Sequence, residues 1–123
     1  MARRLLLVDD DDAIREIAQI SLERVGGWSV VAVGSGEAAV EIVEAGGVFD
    51  LVVLDVMMPG IDGPTTLGRL RGPLPSTVPV IFLTAKLQAA DRARLLALGA
   101  AGVIAKPFDP MTLPGEVDRV LGG

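Results

Sequence analysis

The chain contains no cysteine and no histidine. Without thiols there is no disulfide framework, no thiolate zinc site and no cysteine nucleophile. Without imidazole, Ser-His and Cys-His catalytic arrangements and histidine metal sites fall away too. Tyrosine is absent and aromatics are 3% of the 123 residues, so the core must be built from Leu, Val, Ile and Ala. Lysine occurs only at positions 86 and 106. Positive charge is in deficit, with 11 basic against 16 acidic residues and a net charge of −5, which argues against a general binder of nucleic-acid backbone. Long apolar runs are missing as well. The stretch from Leu95 to Ala105 is broken by Gly99 and Gly102 and bounded by Arg94 and Lys106, whereas a spanning helix needs roughly 20 residues. Arg3 and Arg4 precede Leu5–Val8, but four aspartates end that run too early for a signal-peptide core. The expectation is a cytoplasmic protein whose chemistry runs on carboxylates, hydroxyls, lysine or arginine.

Half of the residues are apolar and 22% are charged, a balance that suits one well-buried domain over residues 1–123. Five short apolar runs, Leu5–Val8, Ser29–Val33, Leu51–Val56, Val80–Thr84 and Val103–Ala105, alternate with helical patterns. Most lack polar alternation and read as strands covered on both faces. Ile14, Ile17, Ala18, Leu22 and Val25 recur at helical spacing up to Gly26–Gly27. Ser35 is a candidate cap for a helix through Ala45. Pro64–Arg71, Leu87–Leu98 and Met111–Val120 are the remaining helical segments, the last requiring Pro114 in its first turn. Repeated strand–helix units imply a parallel sheet with helices on both faces, and in such sheets ligands collect beyond the carboxyl ends of the strands.

Four of the five expected strands deliver a charged or reactive side chain to that edge. Strand one ends in Asp9-Asp10-Asp11-Asp12, strand three in Asp55, strand four in Thr84-Ala85 and strand five in Lys106. Converging carboxylates repel unless positive charge is supplied. Lys106 supplies some, and an all-oxygen site without His or Cys favours Mg²⁺ over zinc. Such a site suits phosphoryl transfer, which depends on positioning and charge neutralisation. The nucleophile would be one of the aspartates. Asp55 is the first choice because it is single, central and preceded by the apolar Leu51–Leu54. Taken singly, these residues have plainer readings. Asp11 and Asp12 read as a solvated helix start with Asp12 as its cap, Asp62-Gly63 as turn chemistry, Met57-Met58 as loop packing and Lys86 as a surface charge.

In combination they resemble a known family. Leu7-Val8-Asp9-Asp10-Asp11, the segment from Asp50 through Asp55 and Pro59-Gly60 to Gly63, Pro79–Ala85, Gly99–Gly102 and Lys106-Pro107-Phe108 together resemble the receiver domain of bacterial two-component response regulators, the CheY-like family. The resemblance implies a flavodoxin-like (βα)5 doubly wound α/β fold with strand order 2-1-3-4-5. It implies that Asp55 accepts a phosphoryl group from a histidine kinase or phosphotransfer protein. Asp10, Asp55 and the Met57 backbone carbonyl would bind Mg²⁺ directly, and Asp9 through water. Thr84 and Lys106 would contact the phosphoryl group, and the small Ala85 would leave it room. The Lys106–Pro107 peptide is expected to be cis, and Met57 and Lys86 occupy positions that tune aspartyl phosphate hydrolysis. A homodimer or output contact would use helix four, strand five and helix five. The sequence departs from the pattern at Val103, where receivers commonly carry an aromatic, so the usual output rearrangement is expected to differ. With no basic recognition helix, this chain should not read DNA itself. A second reading, a Mg²⁺-dependent haloacid-dehalogenase-type phosphatase with Asp9 as nucleophile, needs late acidic metal ligands. Asp109 and Asp118 sit in the last helical region, not at a strand end. A flavin module would have to seat phosphate beside four aspartates without a Ser/Thr-rich loop.

Overall fold

A computed structural model describes residues 3–122; the single domain expected over residues 1–123 therefore extends outside the described residues at both termini. Strands β1 (Arg4–Val8), β2 (Ser29–Val33), β3 (Leu51–Asp55), β4 (Val80–Thr84) and β5 (Gly102–Ala105) alternate with α1 (Asp12–Ile20), α2 (Gly36–Glu44), α3 (Gly63–Leu70), α4 (Ala89–Ala97) and α5 (Leu113–Val120). All strand pairs are parallel, in the order β2-β1-β3-β4-β5. This is the strand order that the resemblance implies.

The continuous apolar runs have a simple cause. Successive side chains leave a strand on opposite faces, and both faces are covered. Leu6, Val8, Val52, Leu54, Val80 and Phe82 face one cluster, which α2, α3 and α4 close with Val40, Leu67, Leu70 and Leu95. Leu5, Leu7, Leu51, Val53, Ile81 and Leu83 face the other, closed by Ala18, Leu22, Leu113 and Val117 from the α1 and α5 side. The central strands are buried along their full length, which fixes the backbone on which the carboxyl-edge side chains are mounted.

Several boundaries differ from the sequence reading. The cap of α1 is Asp11, whose Oδ1 accepts from the N–H groups of Ala13 and Ile14 at 3.0 and 3.1 Å. Asp12 is the first helical residue and pairs instead with Arg15. The continuation of α1 through Ser21–Val25 is a π-helical turn, and there the buried Ser21 hydroxyl donates to the carbonyl of Pro110. Strand β3 ends at Asp55 rather than Val56. Helix α4 starts at Ala89, two residues later than expected, because Lys86 is held by Thr84 and Asp91 Oδ2 accepts from the Gln88 N–H. Helix α5 starts at Leu113 because a turn on Asp109 takes up Met111 and Thr112, and Pro114 does fall in its first turn.

Candidate functional site

The carboxyl edge of the sheet opens into a cleft of about 570 Å³ bordered by Asp10, Asp55, Met57, Thr84, Ala85 and Lys106. The β1–α1 turn brings Asp9 and Asp10, β3 brings Asp55, β4 brings Thr84 and β5 hands over to Lys106. One carboxylate oxygen from each of Asp9, Asp10 and Asp55 lies within 4.8 Å of the other two. Asp9 and Asp55 are buried, while Asp10 is exposed. The Lys106 Nζ lies 2.7 Å from Asp9 Oδ2 and 3.2 Å from Asp55 Oδ1. The peptide between Lys106 and Pro107 is cis, as expected. Asp9 Oδ2 receives no well-aligned hydrogen bond; what faces it is that single ammonium group.

The charge balance is therefore unfavourable as it stands. Asp55 is pushed up to about 6 from its ordinary 3.8, first by burial and then by the Asp9 charge, against the opposing pull of Lys106. Burial alone would lower Lys106, but the close contact and charge of Asp9, with those of Asp55, outweigh it and hold the ammonium above its ordinary value. Three clustered carboxylates share one close cation, so the donor set fits a hard divalent ion that takes oxygen ligands and keeps some of its water. Thr84 is buried at the cleft wall, its hydroxyl donating to the Lys86 carbonyl at 3.2 Å and accepting from the Lys86 N–H at 3.1 Å.

Each residue singled out in the sequence thus has a place. Ala85 is exposed at the cleft and Lys86 is at the surface. Met57 is exposed at the rim, while Met58 is packed in the core. Asp62 caps α3, its Oδ1 accepting from the Thr65 N–H at 2.8 Å, and the same bond holds its carboxyl below the ordinary value. Val103 is buried against the β4 face that carries Phe82. Asp118 lies on α5, paired with Arg3 at 3.8 Å, and Asp109 is engaged in the α5 turn. Neither joins the acidic cluster, so the late metal ligands that the phosphatase reading requires are missing among the described residues.

Sequence reasoning missed three polar residues here. Asp91 and Arg94 of α4 border the cleft and pair with each other at 3.6 Å. Arg15 donates to the backbone carbonyl of Asp9. The Asp12-to-Arg15 spacing, one helical turn, was the signal that could have found it. Ile14 and Lys106 also border an adjoining apolar groove of about 280 Å³ with Ile17, Phe108 and Pro110.

Together the sheet and its edge define a doubly wound α/β module with a cation-competent acidic crevice. Comparisons with known proteins carry this further. The family described as the response regulator receiver domain matches residues 5–118. The transcriptional regulatory protein CseB of Streptomyces avermitilis is 41% identical over 117 residues, covering 95% of this chain and 48% of that protein. A putative response regulator from Chloroflexus aurantiacus superposes with a TM-score of 0.85 at 34% identity, with both chains fully covered. The chemotaxis response regulator CheY4 of Vibrio cholerae gives 0.87 at 28% identity over 98% of this chain and 99% of that one. The chain belongs to the response regulator receiver domain family and is a signalling module of the two-component type; the phosphatase alternative has no support. It spans about half the length of the curated relatives first matched. No described helix is long and apolar enough to cross a membrane.

Proposed function

We propose that Asp55 is the phosphoacceptor and that a histidine kinase or phosphotransfer protein is the donor. An Asp55 carboxylate oxygen attacks the phosphorus of a phosphohistidine, forming a P–O bond as the P–N bond breaks. The bonding pair returns to the imidazole nitrogen, which takes up a proton from solvent, and an aspartyl phosphate remains on this chain. The observation that carries the reading is the meeting of Asp9, Asp10 and Asp55 within 4.8 Å beside an ammonium group 3.2 Å from Asp55.

Mg²⁺ would be held directly by Asp10, Asp55 and the Met57 backbone carbonyl, with Asp9 acting through water. Bound there, it supplies the positive charge that neutralises both the carboxylates and the incoming phosphoryl oxygens. Lys106 would bridge to the phosphoryl group. The Thr84 hydroxyl, now engaged with Lys86, turns to the phosphoryl oxygens in the modified state, and Ala85 leaves space for them. The chain thus promotes its own phosphorylation and hydrolysis but turns over no separate substrate. Residues 1–123 act as one cytoplasmic domain without direct nucleic-acid contact, consistent with the net charge of −5. Homodimer or output contacts use the α4–β5–α5 face. Because valine at 103 cannot fill or vacate the volume of an aromatic ring, the output change at that face departs from the family's usual one.

Incubation with acetyl phosphate and Mg²⁺ followed by intact mass measurement tests the reading. One added phosphoryl group is expected, absent in Asp55→Asn and blocked by chelator. Label that persists in Asp55→Asn but disappears in Asp9→Asn would overturn it.

A further inference from the structure

We infer that Arg15 is a positioning residue that sets the Asp9–Asp10 pair in the orientation a divalent cation requires, an inference that rests on the reading of the acidic site given above. Arg15 lies in the first turn of α1, outside the cluster itself. Its Nη1 donates to the Asp9 backbone carbonyl at 2.8 Å, and its Nη2 donates to Asp12 Oδ1 at 2.6 Å. The Arg15 side chain is only 24% exposed, and its bond to the Asp9 carbonyl is partly shielded from competing water, whereas the bond to the exposed Asp12 is not. It runs past Gly34, beyond the end of β2, where a Cβ would stand 3.1 Å from Nη1. The bare backbone at Gly34 gives the guanidinium its room.

The carbonyl that Arg15 grips belongs to the peptide joining Asp9 to Asp10. Every other polar atom of Asp9 already has a fixed neighbour. Its N–H donates to the Val33 carbonyl at 3.2 Å, its Oδ1 accepts from the Asp11 N–H at 2.9 Å, and its Oδ2 faces Lys106. Arg15 completes the set by fixing the plane of that peptide. Asp10 is exposed, so packing does not orient its side chain, and the peptide plane sets the direction in which its Cα–Cβ bond leaves the backbone. The second bond, to the exposed Asp12, occupies the other arm of the guanidinium fork on its solvent side.

Charge and geometry make opposite demands, which renders the inference testable by sign. A fixed positive charge beside an acidic cluster repels an incoming cation, so on Coulombic grounds alone removing it tightens Mg²⁺ binding. If Arg15 acts by orientation, removing it loosens binding. The experiment is calorimetric titration of Mg²⁺ into the full chain, wild type and Arg15→Met, with folding monitored by circular dichroism. Arg15→Met is expected to bind Mg²⁺ about tenfold more weakly, as for other groups that orient ligands without touching the metal. Its acetyl phosphate labelling rate at saturating Mg²⁺ is expected to stay within about twofold of wild type, since the defect lies in cation affinity. Equal or tighter binding overturns the inference, as does a saturated rate that falls as far as the affinity. Should Arg15→Met not fold, Arg15→Lys, which keeps the charge but not the fork, takes its place: weaker binding supports the inference and wild-type binding overturns it. Failure of the wild-type chain to bind Mg²⁺ would instead sink the reading of the acidic site.

Discussion

Asp55 stands between burial and a like-charged neighbour on one side and the Lys106 ammonium on the other, and burial with Asp9 prevails. The folded chain holds this proton up to about pH 6, whereas the unfolded chain releases it near 3.8. Between those values the folded state binds more protons, so this group's contribution to stability is fully present at low pH and declines as pH rises through the window. Asp55→Asn is therefore expected to stabilise the metal-free protein at pH 7.5 by about 1–2 kcal/mol, the shift being discounted for solvent screening in an open cleft. Urea denaturation at pH 5 and pH 7.5 checks it, and the gain should shrink at the lower pH. Lys106→Met removes the close counter-charge and should raise the Asp55 carboxyl further, which carboxyl-carbon NMR titration of the metal-free chain reads directly. The residue types at this site were legible in the sequence because no other chemistry was on offer: with no histidine or cysteine, aspartates and one lysine at strand ends left few readings. The role of Arg15 was not, since a guanidinium bonded to a backbone carbonyl leaves no mark beyond a spacing.

The elements carry the site through a few backbone contacts. Gly63 opens α3, and a Cβ there would lie 2.5 Å from the Asp55 carbonyl oxygen and 2.9 Å from the Val56 Cα. Only a residue without a side chain lets α3 close on the end of β3. Gly63→Ala should cost about 1–3 kcal/mol by forcing helix and strand apart, and acetyl phosphate labelling should fall with it as Asp55 shifts. Asp62 caps the same helix from an exposed position. Asp62→Ala should cost about 1 kcal/mol in urea denaturation while leaving labelling nearly unchanged. The carboxyl of Asp62 is held below its ordinary value by Thr65, so its contribution is present above the unfolded pKa and is lost as pH falls through the lower folded one. Element boundaries were less legible than element identity. Among the four aspartates Asp12 was the expected cap, and the structure places the cap one residue earlier, at Asp11. At the π-helical turn Ser21–Val25 the buried Ser21 hydroxyl donates to the Pro110 carbonyl, almost ninety residues away, a contact that no local pattern encodes.

At the scale of the whole molecule, strand–helix alternation and uninterrupted apolar strands made the layered α/β architecture readable, because a strand without polar alternation has to be covered on both sides. The order β2-β1-β3-β4-β5 came from family resemblance rather than from periodicity, which is silent about neighbours. Once that order is in place, side chains separated by tens of residues share one edge, and Asp91 and Arg94 arrive there only through the placement of α4 over the cleft. Central to all of this is the assignment of the phosphoryl group to residue 55. Borohydride reduction converts an aspartyl phosphate to homoserine at the position that carried it, so peptide mapping of the chain after acetyl phosphate and Mg²⁺ treatment reads the acceptor directly. Homoserine at position 55, and only when Mg²⁺ was present, is the expected result; homoserine at position 9 or 10, or none at all from a folded and Mg²⁺-bound chain, would contradict the account.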